Sequence, residues 1–359
     1  MAEYIRLPAQ LRIDEILRLH AGFYPKMQPT DAVKLLYQAS FGPGHMISDA
    51  SAALARTRAE MASVTALPGD GSPVFEEIGG GYARLYLNPS LNPVLVSTLF
   101  TASANQPARE PADFSESLNS LRRLTDEGVF AFSRSALDEY LDGYAEAGMP
   151  AVSHSDAYRA AYHPSYRVVR REFAALLPML SAVQKKIDES GSCVLTIDGF
   201  CASGKTTLAQ SVADAFDARL IHMDDFFLPP EKRTPERFAQ PGGNVDYERF
   251  KAVVVDHLSD ESLTYGLFDC GEMAVTSHVT LPKTPLTVIE GAYSHHPAFG
   301  DYYDVDAFVQ TSSEEQLRRI RERDGDEYLP MFESRWIPFE QAYESAYDVR
   351  ARSAYLIET

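Results

Sequence analysis

Apolar residues return at helical spacing through the first half of the chain. Ile13, Ile16, Leu17 and His20 predict one helix, with Asp14 and Glu15 early in it. A second helix is predicted from a Thr30–Asp31 cap through Val33, Leu35, Leu36 and Tyr37. The loop Phe41-Gly42-Pro43-Gly44-His45 interrupts the pattern, and a helix from Ala52 to Met61 follows. Phe75 to Tyr86 reads as a short hairpin bent at Gly79-Gly80-Gly81. Further helices are expected over 92–104, 113–127 and 134–147. A long helix over 167–189 closes this half, with a stripe of Val168, Val169, Phe173, Leu176, Leu177 and Leu180. Glu189-Ser190-Gly191-Ser192 ends it and marks a domain boundary.

After that turn the period changes. Cys193-Val194-Leu195-Thr196-Ile197 is a short apolar run with β-branched residues, the pattern of a buried strand. A Gly-rich loop, a helix and a second strand over Arg219 to Met223 come next. Strands are expected again at 286–289 and 305–310, with an edge strand from Ala354 to Ile357. Strands alternating with helices imply a parallel, helix-covered sheet. The fold class expected is therefore an α/β domain over 190–359, preceded by a mainly helical domain over 1–189.

Composition narrows what such a protein does. The chain has 359 residues, a length that suggests two domains or one large one. It carries 33 Lys and Arg against 51 Asp and Glu, a net charge of −18. That balance argues against general nucleic-acid binding, which needs basic residues in excess. The three cysteines, Cys193, Cys201 and Cys270, are too few for a disulfide framework, and none lies in a CxxC pair that would suggest structural zinc. No apolar run approaches a membrane span, and the N-terminal residues carry acids without an apolar signal core. A reducing cytoplasm is the expected compartment, with no membrane partner.

The strongest chemical signal is Gly199-Phe200-Cys201-Ala202-Ser203-Gly204-Lys205-Thr206, which fits G-x-x-x-x-G-K-[ST] between a strand and a helix. Its glycines let backbone N–H groups face phosphate oxygens, and the helix N-terminus adds a favourable dipole. Gly199, Ala202, Ser203, Gly204, Lys205, Thr206 and Thr207 are thus candidate nucleotide-binding residues. Lys205 supplies a cation to the phosphates, and Thr206 offers a hydroxyl to Mg²⁺. Carboxylates at strand ends would complete the site. Asp224 and Asp225 close the second strand of this half in His222-Met223-Asp224-Asp225-Phe226-Phe227. Glu290 ends Leu286-Thr287-Val288-Ile289. Acids at the C-terminal ends of parallel strands point into the crevice where ligands bind. Glu290 is expected to hold Mg²⁺ through water, and Asp224 or Asp225 to orient Mg²⁺ or take a proton from an acceptor hydroxyl.

These pieces, with Asn244-Val245-Asp246-Tyr247, the Tyr265-to-Cys270 hairpin, Val288-Ile289-Glu290-Gly291 and the Arg-rich segment Arg318 to Arg323, occur in the order found in one group of enzymes. Residues from about 192 to 359 resemble the uridine kinase and nicotinamide riboside kinase group of P-loop kinases, within a wider set that includes phosphoribulokinase and pantothenate kinase. The resemblance implies ATP- and Mg²⁺-dependent transfer to a hydroxyl of a small molecule, a nucleoside foremost. It implies that Asp224 is the general base, that Asp246 grips ribose hydroxyls and that Asp269 borders the acceptor. It also implies that Arg319 and Arg323, one helical turn apart, belong to a lid over the nucleotide and stabilise the transferring phosphoryl group. The full set of aromatic and histidine residues that reads uridine is not seen, although His278 is a candidate counterpart. Pantothenate-like, sugar-like and amino-acid-like alcohols stay open as acceptors.

Residues 1–185 resemble no family of known activity. His45, Arg84 and His154 stand in loops or next to glycines with no assigned partner, and the triple glycine lacks the Lys-Ser/Thr of a phosphate loop. This half is expected to help select the acceptor. Two other readings are a nucleotide-binding regulator and a bifunctional enzyme with separate chemistry in the first half.

Overall fold

The structure is a computed structural model that describes residues 2–7, 10–47, 49–64, 74–106, 108 and 111–359. Its strands are β1 (Glu3–Arg6), β2 (Phe75–Gly79), β3 (Tyr82–Tyr86), β4 (Tyr166–Arg170), β5 (Cys193–Gly199), β6 (Arg219–His222), β7 (Ser262–Asp269), β8 (Ala274–Pro282), β9 (Leu286–Glu290), β10 (Val305–Gln310) and β11 (Tyr355–Glu358). The chain divides into two compact units, Pro8–Leu177 and Met1–Leu7 with Pro178–Thr359. The sequence pattern suggests a boundary at 189/190. The division falls earlier because the helix Leu177–Ser190 is anchored to the C-terminal unit, for example by a 3.0 Å ion pair from Lys186 to Asp304.

The C-terminal unit is the expected α/β fold, built on a six-stranded sheet in the order β1-β11-β10-β5-β9-β6, parallel throughout. Parallel strands are covered on both faces, so they read as apolar runs. Every residue of β9 is buried, as is most of β5. The register aligns Ile197 with Glu290 and Glu290 with His222, so three strands end at one edge. That edge carries the candidate site. β7 and β8 form a separate antiparallel hairpin. The strand predicted for Ala354–Ile357 forms as β11, but it is not an edge. β1 pairs outside it in parallel, from Glu3 beside Tyr355 to Arg6 beside Glu358. A four-residue segment with one buried side chain, Ile5, carries too little pattern to be read from sequence.

The N-terminal unit is mainly helical around an antiparallel sheet ordered β2-β3-β4. The predicted hairpin is β2 and β3. The long helix predicted over 167–189 is instead a strand and two helices, Arg171–Ala175 and Leu177–Ser190. Val168 and Val169, which fit a helical stripe, lie opposite Arg84 and Ala83 in the sheet. Two adjacent β-branched residues suit the pleat, and β3 would otherwise lose the partner that satisfies its backbone groups. The second helix runs Pro29–Phe41, so Thr30 is inside it. Gln28 is the N-cap, and the Asp31 carboxylate accepts the Gln28 N–H at 2.9 Å. Ile16, Leu17, Leu35, Leu36, Leu121 and Tyr158 are among the core residues of this unit. No helix among the described residues is long and apolar enough to cross a membrane.

Candidate active site

The loop after β5 has the backbone an anion cradle needs. Gly199 has φ +149°, and a Cβ there would meet the Val309 carbonyl oxygen at 2.2 Å. Ala202 (φ 56°) and Gly204 (φ 90°) take left-handed conformations, which curl successive N–H groups toward one side. The helix Lys205–Phe216 begins there, and the first-turn amides of a helix have no partner within it. Lys205 Nζ reaches back across the loop to the Phe200 carbonyl at 3.2 Å. Just before the loop lies Asp198, which is buried. Its Oδ1 accepts the Gly199 and Tyr293 amides at 2.6 and 3.2 Å. Its Oδ2 accepts the His295 amide at 3.0 Å and the Tyr343 hydroxyl at 2.8 Å. Asp198 thus ties the loops after β5 and β9 together. The sequence signal for it is a carboxylate at the end of an apolar run, directly before the first glycine of the loop.

Three further acids converge on Lys205. Glu290, buried at the end of β9, accepts Thr206 Oγ1 on Oε2 at 3.1 Å and faces His222 Nδ1 through Oε1 at 2.6 Å. The hydrogen bond that His222 donates to Glu290 raises the His222 pKa above its ordinary value. Asp224 sits in the 3₁₀ turn Met223–Phe226 that follows β6. Desolvation by the surrounding protein raises its carboxyl pKa, against the pull of Lys205. Glu340, on the helix Ile337–Tyr347, accepts the Cys201 loop amide at 2.8 Å. Burial raises the Glu340 pKa to about 6. Burial alone would lower the Lys205 pKa, but Glu340, Asp224 and Glu290 outweigh it and the ammonium is favoured. Glu340 could not be found from sequence, because it lies 139 positions from the amide it meets.

Lys205, Asp224 and Glu340 open onto a cavity of about 1190 Å³. Lys205, Thr206, Thr207 and Asp224 line one part of it, and Phe227, Phe238, Phe332 and Trp336 supply aromatic wall. Arg319 and Arg323, on the helix Ser313–Asp324, also line it. In this state the Arg319 guanidinium is engaged, donating to Glu315 at 2.7 Å, the Ala202 carbonyl at 3.3 Å and Thr359 Oγ1 at 2.9 Å. Arg323 donates to Asp324 at 2.9 Å.

Two predicted acceptor residues are not brought to this cavity. Asp246 accepts the Arg249 amide at 3.2 Å as the N-cap of the helix Tyr247–Val253 and pairs with Lys232 at 2.8 Å. Asp269 accepts the Gly271 and Glu272 amides at 2.7 and 2.9 Å and so closes the β7–β8 turn. Neither is among the residues lining the cavity. An Asp suits a helix cap or tight turn through the same short acceptor that suits a ribose hydroxyl, so sequence alone does not separate these roles. Asp225 is held by a hydrogen bond with Tyr265. His278 stands on β8 opposite Gly266.

The polar residues singled out in the first half find partners inside their own unit. Arg84 Nε and Nη2 both donate to Gln38 Oε1, at 3.0 and 2.9 Å, and Nη1 donates to Glu76 at 3.0 Å. Its guanidinium carbon lies 4.7 Å from the Tyr166 ring centroid. His154 joins Asp31 through Nδ1 at 2.9 Å and the Tyr166 hydroxyl through Nε2 at 2.7 Å. Burial lowers the His154 pKa to about 4, which leaves the ring neutral near pH 7. His45 packs edge-on against Tyr37 at 5.3 Å.

No protein-family model matches the chain, and no curated protein matches it. Among solved structures it is similar to "a Possible Uridine Kinase" from Bacillus stearothermophilus, at 20% identity over 48% of this chain and 98% of that one, with a TM-score of 0.37. It is also similar to a protein assigned as a fructose transport system kinase from Silicibacter sp. TM1040, at 22% identity over 50% and 95% of the two chains, with a TM-score of 0.41. A third is the shikimate kinase of Bacteroides thetaiotaomicron, at 15% identity over 46% and 86%, with a TM-score of 0.27.

Proposed function

We propose that residues 190–359 form an ATP-dependent phosphotransferase that acts on a hydroxyl of a small molecule, with a nucleoside as the favoured acceptor type. The observation that carries this reading is that the loop, Lys205, Thr206 and Asp224 share one cavity with an aromatic chamber. Glu290, hydrogen-bonded to Thr206, backs the same loop. A nucleotide-binding switch needs the first part but has no use for a carboxylate facing the chamber. Phe227, Phe238 and Trp336 in the cavity wall supply the aromatic surface that a planar base would pack on.

The loop amides and Lys205 would hold the ATP phosphates. Thr206, Glu290 and Asp224 offer hydroxyl and carboxylate oxygens, the sparse hard-donor set with which Mg²⁺ is bound beside substrate phosphates. When bound, Mg²⁺ neutralises charge on those phosphates. Asp224 aligns the acceptor hydroxyl and takes its proton as the acceptor oxygen bonds to the γ-phosphorus. The bond from that phosphorus to the β–γ bridging oxygen breaks, and ADP leaves with the electron pair. Arg319 and Arg323 would turn toward the transferring group from their present partners. Catalysis rests on positioning and electrostatics, without a covalent enzyme intermediate.

A metabolite panel scored for ATP consumption, with mass spectrometry of the product, tests this reading. Asp224→Asn should lower kcat by roughly 10²-fold or more, the scale of a lost general base, with ATP affinity far less affected. Undiminished turnover in Asp224→Asn with loss in Asp225→Asn would move the base by one position.

A further inference from the structure

Four arginines line the cavity: Arg233, Arg319, Arg323 and Arg335. Arg319 and Arg323 have carboxylate partners, Glu315 and Asp324. Arg233 and Arg335 pair with no carboxylate among the described residues. Arg233 Nε donates to the Leu228 carbonyl at 2.7 Å, and its Nη2 lies 3.9 Å from Met273 Sδ. Arg335 lies over the Trp336 ring, its guanidinium carbon 4.8 Å from the centroid. The two converge on Phe238, at 5.9 Å for Arg233 and 5.5 Å for Arg335. Burial first, and then the charge of Arg335, pull the Arg233 pKa below its ordinary value. Arg233 is half-buried and Arg335 exposed on the cavity wall, and neither has a carboxylate partner among the described residues, in a chain that carries 51 acidic residues against 33 basic ones.

Two like charges held together are unfavourable unless an anion joins them. Guanidinium stacked on an aromatic face keeps its in-plane N–H groups free, and that fork matches carboxylate or phosphate oxygens. A neutral nucleoside would leave both guanidiniums unpaired. We infer that the acceptor bears an anionic group, a carboxylate or a phosphate, bound between Arg233 and Arg335 while Phe227, Phe238 and Trp336 enclose its body; this rests on the phosphotransferase reading of the same cavity.

The test uses matched acceptors that differ in one anion. Uridine is compared with orotidine for a carboxylate, and ribose with ribose 5-phosphate for a phosphate. Binding is measured by calorimetry on the full chain saturated with a non-hydrolysable ATP analogue and Mg²⁺, and transfer is measured with ATP. At least one anionic member should bind about 10-fold or more tighter than its neutral twin, on the order of one charge-assisted hydrogen bond. The pair that responds distinguishes carboxylate from phosphate. Arg233→Gln and Arg335→Gln should each reduce the preference several-fold, the double variant should abolish it, and Arg335→Lys should keep part of it. Melting temperature and ATP affinity are followed in every variant. Absence of an anion preference in both pairs overturns the inference. So does a preference that survives in a folded double variant, or a loss of ATP affinity with the preference intact, because the pair would then serve the nucleotide. An anion preference that yields to both substitutions, without any phosphoryl transfer, upholds the anion site and refutes the phosphotransferase reading. Transfer to the neutral acceptors at unchanged kcat/KM, with no preference for either anion, does the reverse.

Discussion

Both units bury a cluster of charged and polar side chains, and the two clusters are built to opposite plans. Around Arg84 the donors and acceptors are matched within the protein: Gln38 and Glu76 take the guanidinium, Tyr24 and Tyr86 take the other side of Glu76, and Asp31, His154 and Tyr166 form a continuous chain. Around Lys205 the matching is partial. Several acids approach one ammonium, the loop amides curl toward open space, and two guanidiniums further along meet no acid among the described residues. A cluster whose partners are all internal fixes a fold. A cluster left short of partners beside a cavity is one that a ligand completes. A lone buried Arg in the sequence does not tell which plan it serves.

The largest effect that would break this comparison is at Lys205. Lys205→Ala should lower kcat by roughly 10³-fold or more in protein that still folds, as expected of a charge proposed to serve phosphate. Steady-state kinetics with a thermal melt decides it, and wild-type turnover would remove the nucleotide site from this loop. The mirror experiment is Arg84→Met. Removing one member of a buried matched pair strands Glu76, and about 3–5 kcal/mol of stability should be lost. Chemical denaturation reads it, and a loss below about 1 kcal/mol would mean the network does not organise its unit.

Acid should separate the clusters by sign. His154 titrates near 4 in the fold against an ordinary 6.5, so the unfolded chain takes up the proton first. Its contribution is present above pH 6.5 and is lost as pH falls through that window, by roughly 3 kcal/mol. Hydrogen exchange at Tyr82–Tyr86 between pH 7 and 4 reports it, and protection that is flat in pH would contradict the neutral ring. Glu340 runs the other way. Its carboxyl titrates at about 6 in the fold against an ordinary 4.5, so the folded state keeps a proton that the unfolded chain has lost. Stability therefore falls as pH rises from about 4.5 to 6, by roughly 2 kcal/mol, and Glu340→Gln should not show that fall. Equal pH slopes for wild type and Glu340→Gln would show that burial does not dominate at this carboxyl.

The shape of the loop Gly199–Thr206 was legible in the sequence because the conformation of eight consecutive residues is set locally by two glycines and the start of a helix. The positions of Asp224 and Glu290 were legible for a related reason: Glu290 ends a strand and Asp224 lies in the turn directly after one, and a parallel sheet places strand ends at one edge whatever the rest of the chain does. Other features depended on distant partners. Val168 and Val169 fit a helix stripe until β3 offers them a ladder. Ala354–Ile357 looks like an edge until β1, from the other end of the chain, pairs outside it. Asp246 and Asp269 have the residue type of substrate ligands, yet nearby amides and Lys232 claim them. Glu340 reaches the loop, and Arg233 and Arg335 meet at Phe238, only because separate elements converge in space. Short-range backbone geometry was thus written locally, whereas the order of the strands and the pairing of charges were decided by tertiary structure, since ladders and Coulomb interactions act through distance in space and not along the chain.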